Sequence, residues 1–74
     1  MEKYANIGGR SGVCEYSIGD DYIDVKFSDG SLYRFSYRSA GASIIEEMKL
    51  LAVRGYGLNS FIIRKAKTNY EWKK

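Results

Sequence analysis

The sequence contains no histidine and a single cysteine, Cys14. Histidine is the most frequent general base and metal ligand, and it activates serine and cysteine nucleophiles. A lone cysteine forms no disulfide within its own chain and, without histidine, builds no zinc site. We therefore expect a protein that is not an enzyme and has no metal and no cofactor. One free thiol also suits a reducing compartment, so we expect a cytoplasmic location.

Long apolar runs are missing as well. No stretch approaches the about 20 residues that cross a bilayer, so we expect no membrane partner. The 74 residues, 45% of them apolar and 15% aromatic, suffice for one globular domain over 1–74. A domain of this size buries only about 60% of the surface of its unfolded chain, so its stability margin is thin. Association into a homo-oligomer would widen that margin and is a candidate property.

Acidic side chains are scarce in the last third of the chain. Residues 1–48 carry five basic and eight acidic side chains, a balance of −3, whereas residues 49–74 carry seven basic and one acidic, a balance of +6. Such an excess indicates an anionic partner for the C-terminal part. The alternative is that the basic part only complements the acidic hairpins, and the sequence leaves both interpretations open.

Alternating apolar and polar residues predict three half-buried strands, over 13–18, 22–27 and 31–37. Short turns between them predict an antiparallel β-meander over 13–37. An amphipathic helix is predicted over 43–54, and its apolar stripe has only the meander to cover. The fold class is therefore expected to be α+β, a three-stranded antiparallel meander packed by one amphipathic helix.

The second turn predicts the register of its hairpin. A three-residue loop over 28–30, with its glycine in the left-handed conformation, places Val25 opposite Tyr33. The same register places Asp24 opposite Arg34 on the other face, a favourable cross-strand pair. A two-residue loop would mix the apolar and polar faces, so the three-residue loop is favoured.

The first turn is predicted as a two-residue loop over 19–20. This loop pairs Tyr16 with Ile23 and Cys14 with Val25. Cys14 would then point into the core as a small buried apolar residue, rather than act as a reactive thiol.

The predicted helix has recognisable ends. Ser43 and Glu46 have the spacing of a capping box, and Gly55 is a typical helix stop. The apolar stripe between them consists of Ile44, Ile45, Met48, Leu51 and Ala52.

The basic tail over 58–74 allows two readings at its start, a short helix from Leu58 or a strand over 61–63. We favour the short helix, followed by an extended stretch through Tyr70 and Trp72.

At the other end of the chain, residues 1–12 are predicted to be a flexible lead-in because residues 8–12 are rich in glycine. The backbone N–H groups of such a stretch would also suit a phosphate, although the spacing of the known phosphate-binding loops is absent.

Basic residues alternate with aromatic rings in and before the tail. Cations neutralise phosphates, and exposed rings stack on unpaired bases. The leading hypothesis is therefore a non-catalytic binding module for RNA or single-stranded DNA. In this hypothesis the cations contact phosphates, and the ring of Tyr70 or Trp72 stacks on a base. The alternative is that the rings belong to the core and the lysines are solvated. The candidate nucleic-acid-binding residues are Arg54, Arg64, Lys65, Lys67, Tyr70 and Trp72.

Two other functions fit the composition. A small homo-oligomer would bind an anionic small ligand at a subunit interface, because a chain this short has little room for a pocket of its own. A protein–protein adaptor would use a sheet edge or the apolar residues Leu50 and Val53, which lie off the helix stripe.

Several short motifs resemble the KTSC domain, a family named for the C-terminus of some lysyl-tRNA synthetases and also found as stand-alone small proteins. The first half of the likeness is the run Ile23-Asp24-Val25-Lys26-Phe27, then Gly30, then Tyr33-Arg34-Phe35. The second half is Gly55 or Gly57, followed by Asn59, Ile63-Arg64 and Tyr70. Together they span roughly residues 11–72.

The resemblance implies a non-catalytic accessory module, with nucleic acid as its default partner, and it assigns no catalytic residue. The positions that match the family pattern are Tyr33, Phe35, Asn59, Arg64 and Tyr70. The proline often found before the helix in that family is absent from this chain.

Overall fold

The computed structural model describes residues 1–9 and 11–74. Arg10, part of the predicted lead-in, lies outside the described residues. The strands are β1 (Glu2–Lys3), β2 (Val13–Ile18), β3 (Tyr22–Phe27), β4 (Leu32–Ser36) and β5 (Trp72–Lys73). The helices are α1 (Tyr37–Ala40), α2 (Ala42–Arg54) and α3 (Leu58–Phe61), and a π-helix (Ile62–Ala66) continues α3.

The strands form one antiparallel sheet in the order β1-β2-β3-β4-β5, so the α+β class is confirmed. The predicted meander of three strands is wrong in number, because a two-residue strand is added at each edge. Two residues are too few for apolar alternation to reveal a strand. No helix of the described chain is both long and apolar enough to span a membrane.

The hairpin of β3 and β4 has the predicted register. Val25 pairs with Tyr33 and Asp24 pairs with Arg34. Gly30, at φ 91°, donates its N–H to the carbonyl oxygen of Phe27 at 2.9 Å, which closes the three-residue loop. The turn chemistry and the apolar pattern specify the same pairing here, and that agreement fixes the register.

The predicted pairing of β2 with β3 is wrong. The loop lies at residues 20–21, and Tyr16 pairs with Val25 instead of Ile23. A β-bulge between Val13 and Glu15 inserts Cys14 as an extra residue, so Val13 faces the core and Cys14 is exposed. A bulge switches the face of every residue beyond it, and alternation alone does not reveal one.

The polypeptide turns at the end of β4 instead of extending the strand. Ser36 and Ser39 form a reciprocal capping box at the start of α1. Tyr37 was predicted to be the last residue of the third strand, but it begins α1 and is exposed.

Helix α2 starts one residue before the predicted range, at Ala42. Its N-cap is Gly41, which makes no side-chain capping bond, so the capping box predicted at Ser43 is wrong. The predicted end is confirmed, because Gly55 caps the helix at φ 79°. A Cβ atom at Gly55 would lie 2.6 Å from the Cβ of Ala5, so close packing of the N-terminal segment also requires a glycine here.

One face of the sheet, called here the inner face, packs against the helices. Burial of the apolar stripe of α2 is confirmed, with Ile45, Met48, Leu51 and Ala52 buried and Ile44 partly buried. The other members of the core come from the sheet, from the residues after α2 and from the N-terminal segment: Tyr4, Val13, Ile23, Val25, Phe35, Leu58, Ile62 and Ala66.

The segment predicted as a flexible lead-in includes β1 and the buried Tyr4, which is 2% exposed. The backbone N–H of Tyr4 donates to the carbonyl of Cys14 at 3.0 Å, and its hydroxyl accepts from the N–H of Leu58 at 3.3 Å. The N–H of Ile7 donates to the carbonyl of Gly55 at 2.8 Å. These bonds hold residues 4–7 against both ends of the connection between α2 and α3.

Candidate functional site

An open cavity of about 350 Å³ lies between the β3–β4 loop and the π-helix, and we call it the apolar cavity. It exists because α2 covers only part of the inner face, which leaves rings near the loop to be covered by the shorter π-helix. Its apolar walls are Phe27, Tyr33, Phe35, Ile62 and Ile63. Its polar border consists of Gly12, Ser28, Asp29, Ser31, Asn59 and Lys67.

The aromatic wall is held in place by edge-to-face contacts. Phe27 meets Tyr33 with ring centroids 5.3 Å apart at 82°, and Tyr70 meets Tyr33 at 5.1 Å and 81°. Tyr70 also contacts Phe35 at 6.5 Å. Such pairs stabilise their own geometry, so the rings form a preformed surface rather than a mobile one.

Asp29 supplies a negative charge at the border of this cavity. Its Oδ1 accepts from the backbone N–H of Ser31 at 2.9 Å and from the Ser31 hydroxyl at 2.6 Å. These hydrogen bonds, the side-chain bond first, lower the pKa of the Asp29 carboxyl below its ordinary value. The group is therefore ionised near neutral pH, and Oδ2 accepts no hydrogen bond from the described side chains.

A larger open cavity of about 640 Å³ lies between the N-terminal segment and the helices, and we call it the basic cavity. Arg54 at the end of α2 and Arg64 in the π-helix border it, together with the exposed ring of Tyr56. Glu47 is the one acid among its described lining residues. The remaining lining residues are Tyr4, Asn6, Ile7, Gly8, Ser11, Leu51, Gly57, Asn59, Ser60 and Phe61.

The N-terminal wall of the basic cavity has a defined conformation. Asn6 adopts φ 53°, and its side-chain Oδ1 accepts from the N–H of Ser11 at 3.1 Å. The N–H of Gly9 donates to the carbonyl of Asn6 at 2.9 Å. Asparagine tolerates the left-handed region better than most residues, which explains why it stands at this position.

The two arginines of the basic cavity carry unneutralised charge. The guanidinium of Arg54 lies 5.9 Å from the centroid of the Tyr56 ring. Among residues 1–9 and 11–74 the ion pairs within 4 Å are Arg34 with Asp24 and Lys49 with Glu46, so neither Arg54 nor Arg64 is paired. Two such guanidinium groups at one cavity favour an anionic ligand.

The six candidate residues from the sequence do not share one surface. Arg54 and Arg64 border the basic cavity, and Lys67 borders the apolar cavity. Lys65 is exposed on the π-helix between them in sequence. Tyr70 packs its ring on the aromatic wall. Trp72, paired with Arg34, lies on the outer face of the sheet, which no helix of residues 1–9 and 11–74 covers.

On that outer face Trp72 covers an ion pair. Arg34 donates from Nε to Oδ1 of Asp24 at 2.7 Å and from Nη2 to Oδ2 at 2.9 Å. Its guanidinium carbon lies 3.9 Å from the ring centroid of Tyr22 and 5.1 Å from that of Trp72. The hydrogen bonds that Arg34 donates to Asp24 raise the pKa of Arg34 further above its ordinary value. Trp72 thus has a structural contact that its position in a basic tail did not suggest.

Sequence reasoning missed the pairing of Arg54 with Tyr56 and the part played by Asp29. Tyr56 follows a helix stop and precedes another glycine, which is a typical place for an exposed side chain. From the sequence, Asp29 was predicted only as a member of the loop over 28–30. Asn59 borders both cavities, so it joins them.

The positions matched to the KTSC pattern do not all lie at one cavity. Tyr33, Phe35 and Asn59 border the apolar cavity, and Tyr70 contacts two of its rings. Arg64 borders the basic cavity instead.

Features behind the rival functions also have places in the structure. Leu50 and Val53 are 66% and 69% exposed on α2, so the apolar pair proposed for an adaptor surface is accessible. A single chain forms both cavities, so a pocket does not require a second copy as the chain length had suggested. Within the described part of the chain, no three or more acidic or cysteine side chains gather as a metal ion would need.

In comparisons with known proteins, no family model matches the chain, no curated protein matches it, and no solved structure matches its fold.

Proposed function

We propose that this protein is a non-catalytic module that binds single-stranded nucleic acid, RNA or DNA, through the basic cavity. The observation that carries the proposal is that Arg54, Arg64 and the exposed ring of Tyr56 border one cavity. Guanidinium groups bind phosphate oxygens in pairs of hydrogen bonds, and an exposed ring next to them stacks on a base. Both kinds of contact are therefore available to one nucleotide and its neighbour.

Lys65 and Lys67 extend the cationic surface along the same segment. Each cation that contacts a phosphate releases a counterion, which favours binding at low salt. Tyr56 is the ring that stacks on a base, because the Tyr70 ring packs on the aromatic wall and the Trp72 ring covers Arg34. Its resemblance to the KTSC domain agrees with an accessory binding role and stays a prediction.

The test is fluorescence anisotropy with labelled single-stranded RNA and DNA at about 50 and 200 mM salt. The variant Arg54→Gln with Arg64→Gln removes both guanidinium groups of the cavity. The control, Lys3→Gln with Arg38→Gln, removes the same charge at exposed positions outside both cavities. We expect at least a tenfold loss of affinity in the first variant, about 1.4 kcal/mol, and a logarithmic salt slope smaller by about 1.4.

Equal affinities for the two double variants would show that net charge alone attracts the strand and would contradict the assignment to this cavity. No binding of the unmodified protein at the lower salt would overturn the proposed function as a whole.

A second candidate is a small anionic ligand in the same cavity. It is favoured by the volume of about 640 Å³ and by the ordered wall at Asn6, which together suit a small phosphate-bearing molecule. A length series separates the two functions. Affinity that rises from mononucleotide to nonanucleotide indicates a strand, whereas a mononucleotide that binds as tightly as the nonanucleotide indicates a small ligand. Light scattering on the same samples gives the oligomeric state, which stays a prediction.

A further inference from the structure

The apolar cavity has the features of a site for one planar heterocycle. Three rings and two isoleucines form its walls, and its volume of about 350 Å³ exceeds what one base fills. The polar groups stand at the border rather than inside. A nucleobase has the matching distribution, because its faces are apolar and its donors and acceptors lie at its edge.

The two cavities lie next to each other, on either side of the backbone that runs from Asn59 through the π-helix. Asn59 borders both, and the π-helix presents Arg64 to the basic cavity and Ile63 to the apolar one. Lys67, one turn further, lies at the border of the apolar cavity. π-helices are rare, and they occur often at functional sites. A strand whose phosphates contact Arg64 therefore passes the mouth of the apolar cavity.

The border groups discriminate among bases. Oδ1 of Asp29 is occupied by Ser31, and Oδ2 faces no donor among the described side chains, so it accepts from a ligand N–H. The side-chain amide of Asn59, which borders the cavity, has both a donor and an acceptor. Guanine offers two adjacent N–H donors beside a carbonyl acceptor on one edge. Uracil offers a single donor between two acceptors, which a carboxylate repels.

Resting on the proposed function, we infer that the apolar cavity takes one base of the bound strand and favours guanine over uracil through Asp29. The basic cavity then supplies affinity that is independent of sequence, and the apolar cavity supplies the preference for a base. This division follows the general roles of phosphate and base contacts.

The test compares nine-nucleotide RNAs that differ only at the central position: all uridine, uridine with one central guanosine, and uridine with one central abasic site. We expect the central guanosine to bind about tenfold more tightly than uridine, the ratio that about 1.4 kcal/mol of discrimination gives. Asp29→Asn keeps the oxygen that Ser31 contacts and removes the charge. It should bring that ratio close to one, by weakening binding of the guanosine strand and, since the carboxylate no longer repels uracil, by slightly strengthening binding of the all-uridine strand. Asp20→Asn is its matched control on the other hairpin and should leave the ratio unchanged.

A second pair of variants tests the cavity rather than the charge. A Cβ atom at Gly12 would meet only the Phe27 ring, at an ordinary 3.9 Å, so a side chain fits there. Gly12→Leu fills the cavity, whereas Gly12→Ala leaves most of it open. The leucine variant should lose the guanosine preference and the alanine variant should keep it, and unchanged all-uridine binding shows that both are folded.

The outcomes separate this inference from the function beneath it. Equal affinity for guanosine, uridine and abasic strands overturns the base site and leaves strand binding intact. Absence of binding to every strand overturns both. Displacement of the guanosine strand by equimolar free guanosine monophosphate assigns the cavity to a free nucleotide and overturns its role in reading a strand.

Discussion

The two faces of the sheet solve the same packing problem by different means. On the inner face, aliphatic side chains of α2 cover Ile23 and Val25, both with no exposed surface. On the outer face the described part of the chain places no helix, and four side chains cover one another: Tyr22, Asp24, Arg34 and Trp72. The inner face is stabilised by removing apolar surface from water. The outer face is stabilised by the ion pair of Arg34 with Asp24 and by the contacts of Arg34 with two aromatic rings.

This difference affects where ligands can bind. The charge of Arg34 is neutralised by a carboxylate that it contacts through two hydrogen bonds, and rings lie against its guanidinium, so it attracts a phosphate less than an unpaired arginine does. The inner face, in contrast, extends beyond the part that α2 covers and leaves rings at the apolar cavity. The apolar cavity therefore lies on the inner face, and the basic cavity lies between the helices and the N-terminal segment.

The largest effect is expected from the inner face. Ile45→Ala removes a side chain with no exposed surface from the centre of the contact between α2 and the sheet. Such truncations cost about 2–5 kcal/mol because they lose transfer free energy and leave a cavity. The whole margin of a 74-residue domain is only about 4–11 kcal/mol, so the midpoint of denaturant unfolding should fall steeply.

Leu50→Ala on the same helix is the control for that measurement. Leu50 is 66% exposed, so its truncation should change the free energy of unfolding by less than about 0.5 kcal/mol. Equal losses at both positions would contradict the placement of α2 on the sheet.

An intermediate effect is expected from the outer face. Asp24→Asn leaves Arg34 half-buried between two rings without its carboxylate, and the Asp24 side chain is only 13% exposed. A charged hydrogen-bonded pair of this kind contributes about 1–3 kcal/mol. A double-mutant cycle with Arg34→Leu isolates the coupling between the two residues, measured by chemical unfolding.

Glu15→Gln is the matched change on the same face. Glu15 stands opposite Lys26, but they form no ion pair within 4 Å in the described chain, so the cost should be small. A coupling between Asp24 and Arg34 below about 0.3 kcal/mol would show that the rings alone hold the guanidinium.

The contrast also explains what was predictable from the sequence. The inner face follows from alternation and helical spacing, and the strands 13–18 and 22–27 were predicted with their observed ends. The cross-strand pair of Asp24 with Arg34 followed from the second turn. The exposure of Cys14 did not follow from the sequence, because a bulge adds one residue to a strand without changing the visible apolar pattern.

The candidate site was predictable in composition but not in arrangement. Charge counts reveal the basic segment. They do not reveal that Arg64 borders the basic cavity while Trp72 lies on the outer face, because the position of Trp72 depends on how β5 joins the sheet. The π-helix was hidden as well, since helical periodicity does not distinguish it from the short α-helix that was predicted. Sites built from several elements depend on tertiary packing, which local patterns do not contain.

The smallest effect, and the sharpest contrast with the buried pair, is expected from the exposed network at the start of α2. Glu46, whose side chain is 53% exposed, accepts from Lys49 at 2.8 Å and from the Tyr37 hydroxyl at 2.5 Å. These bonds, that of Lys49 first, lower the pKa of the Glu46 carboxyl below its ordinary value. A lowered pKa means that the stabilisation is present above the unfolded value and is lost as the pH falls through the folded one.

Unfolding should therefore be followed between about pH 7 and pH 2 for the unmodified protein and for Glu46→Gln. The stability advantage of the glutamate should be constant near neutral pH and should decline as the pH falls through the ordinary glutamate range and then through the lower folded pKa, because protonation removes its charge while the neutral amide of the variant does not titrate. Glu47→Gln, at the next position of the same helix, is the control because Glu47 makes no ion pair among the described residues. An advantage that persists at pH 2 would show that the Tyr37 and Lys49 contacts act through shape rather than charge, and the network would then stabilise the fold as the inner face does.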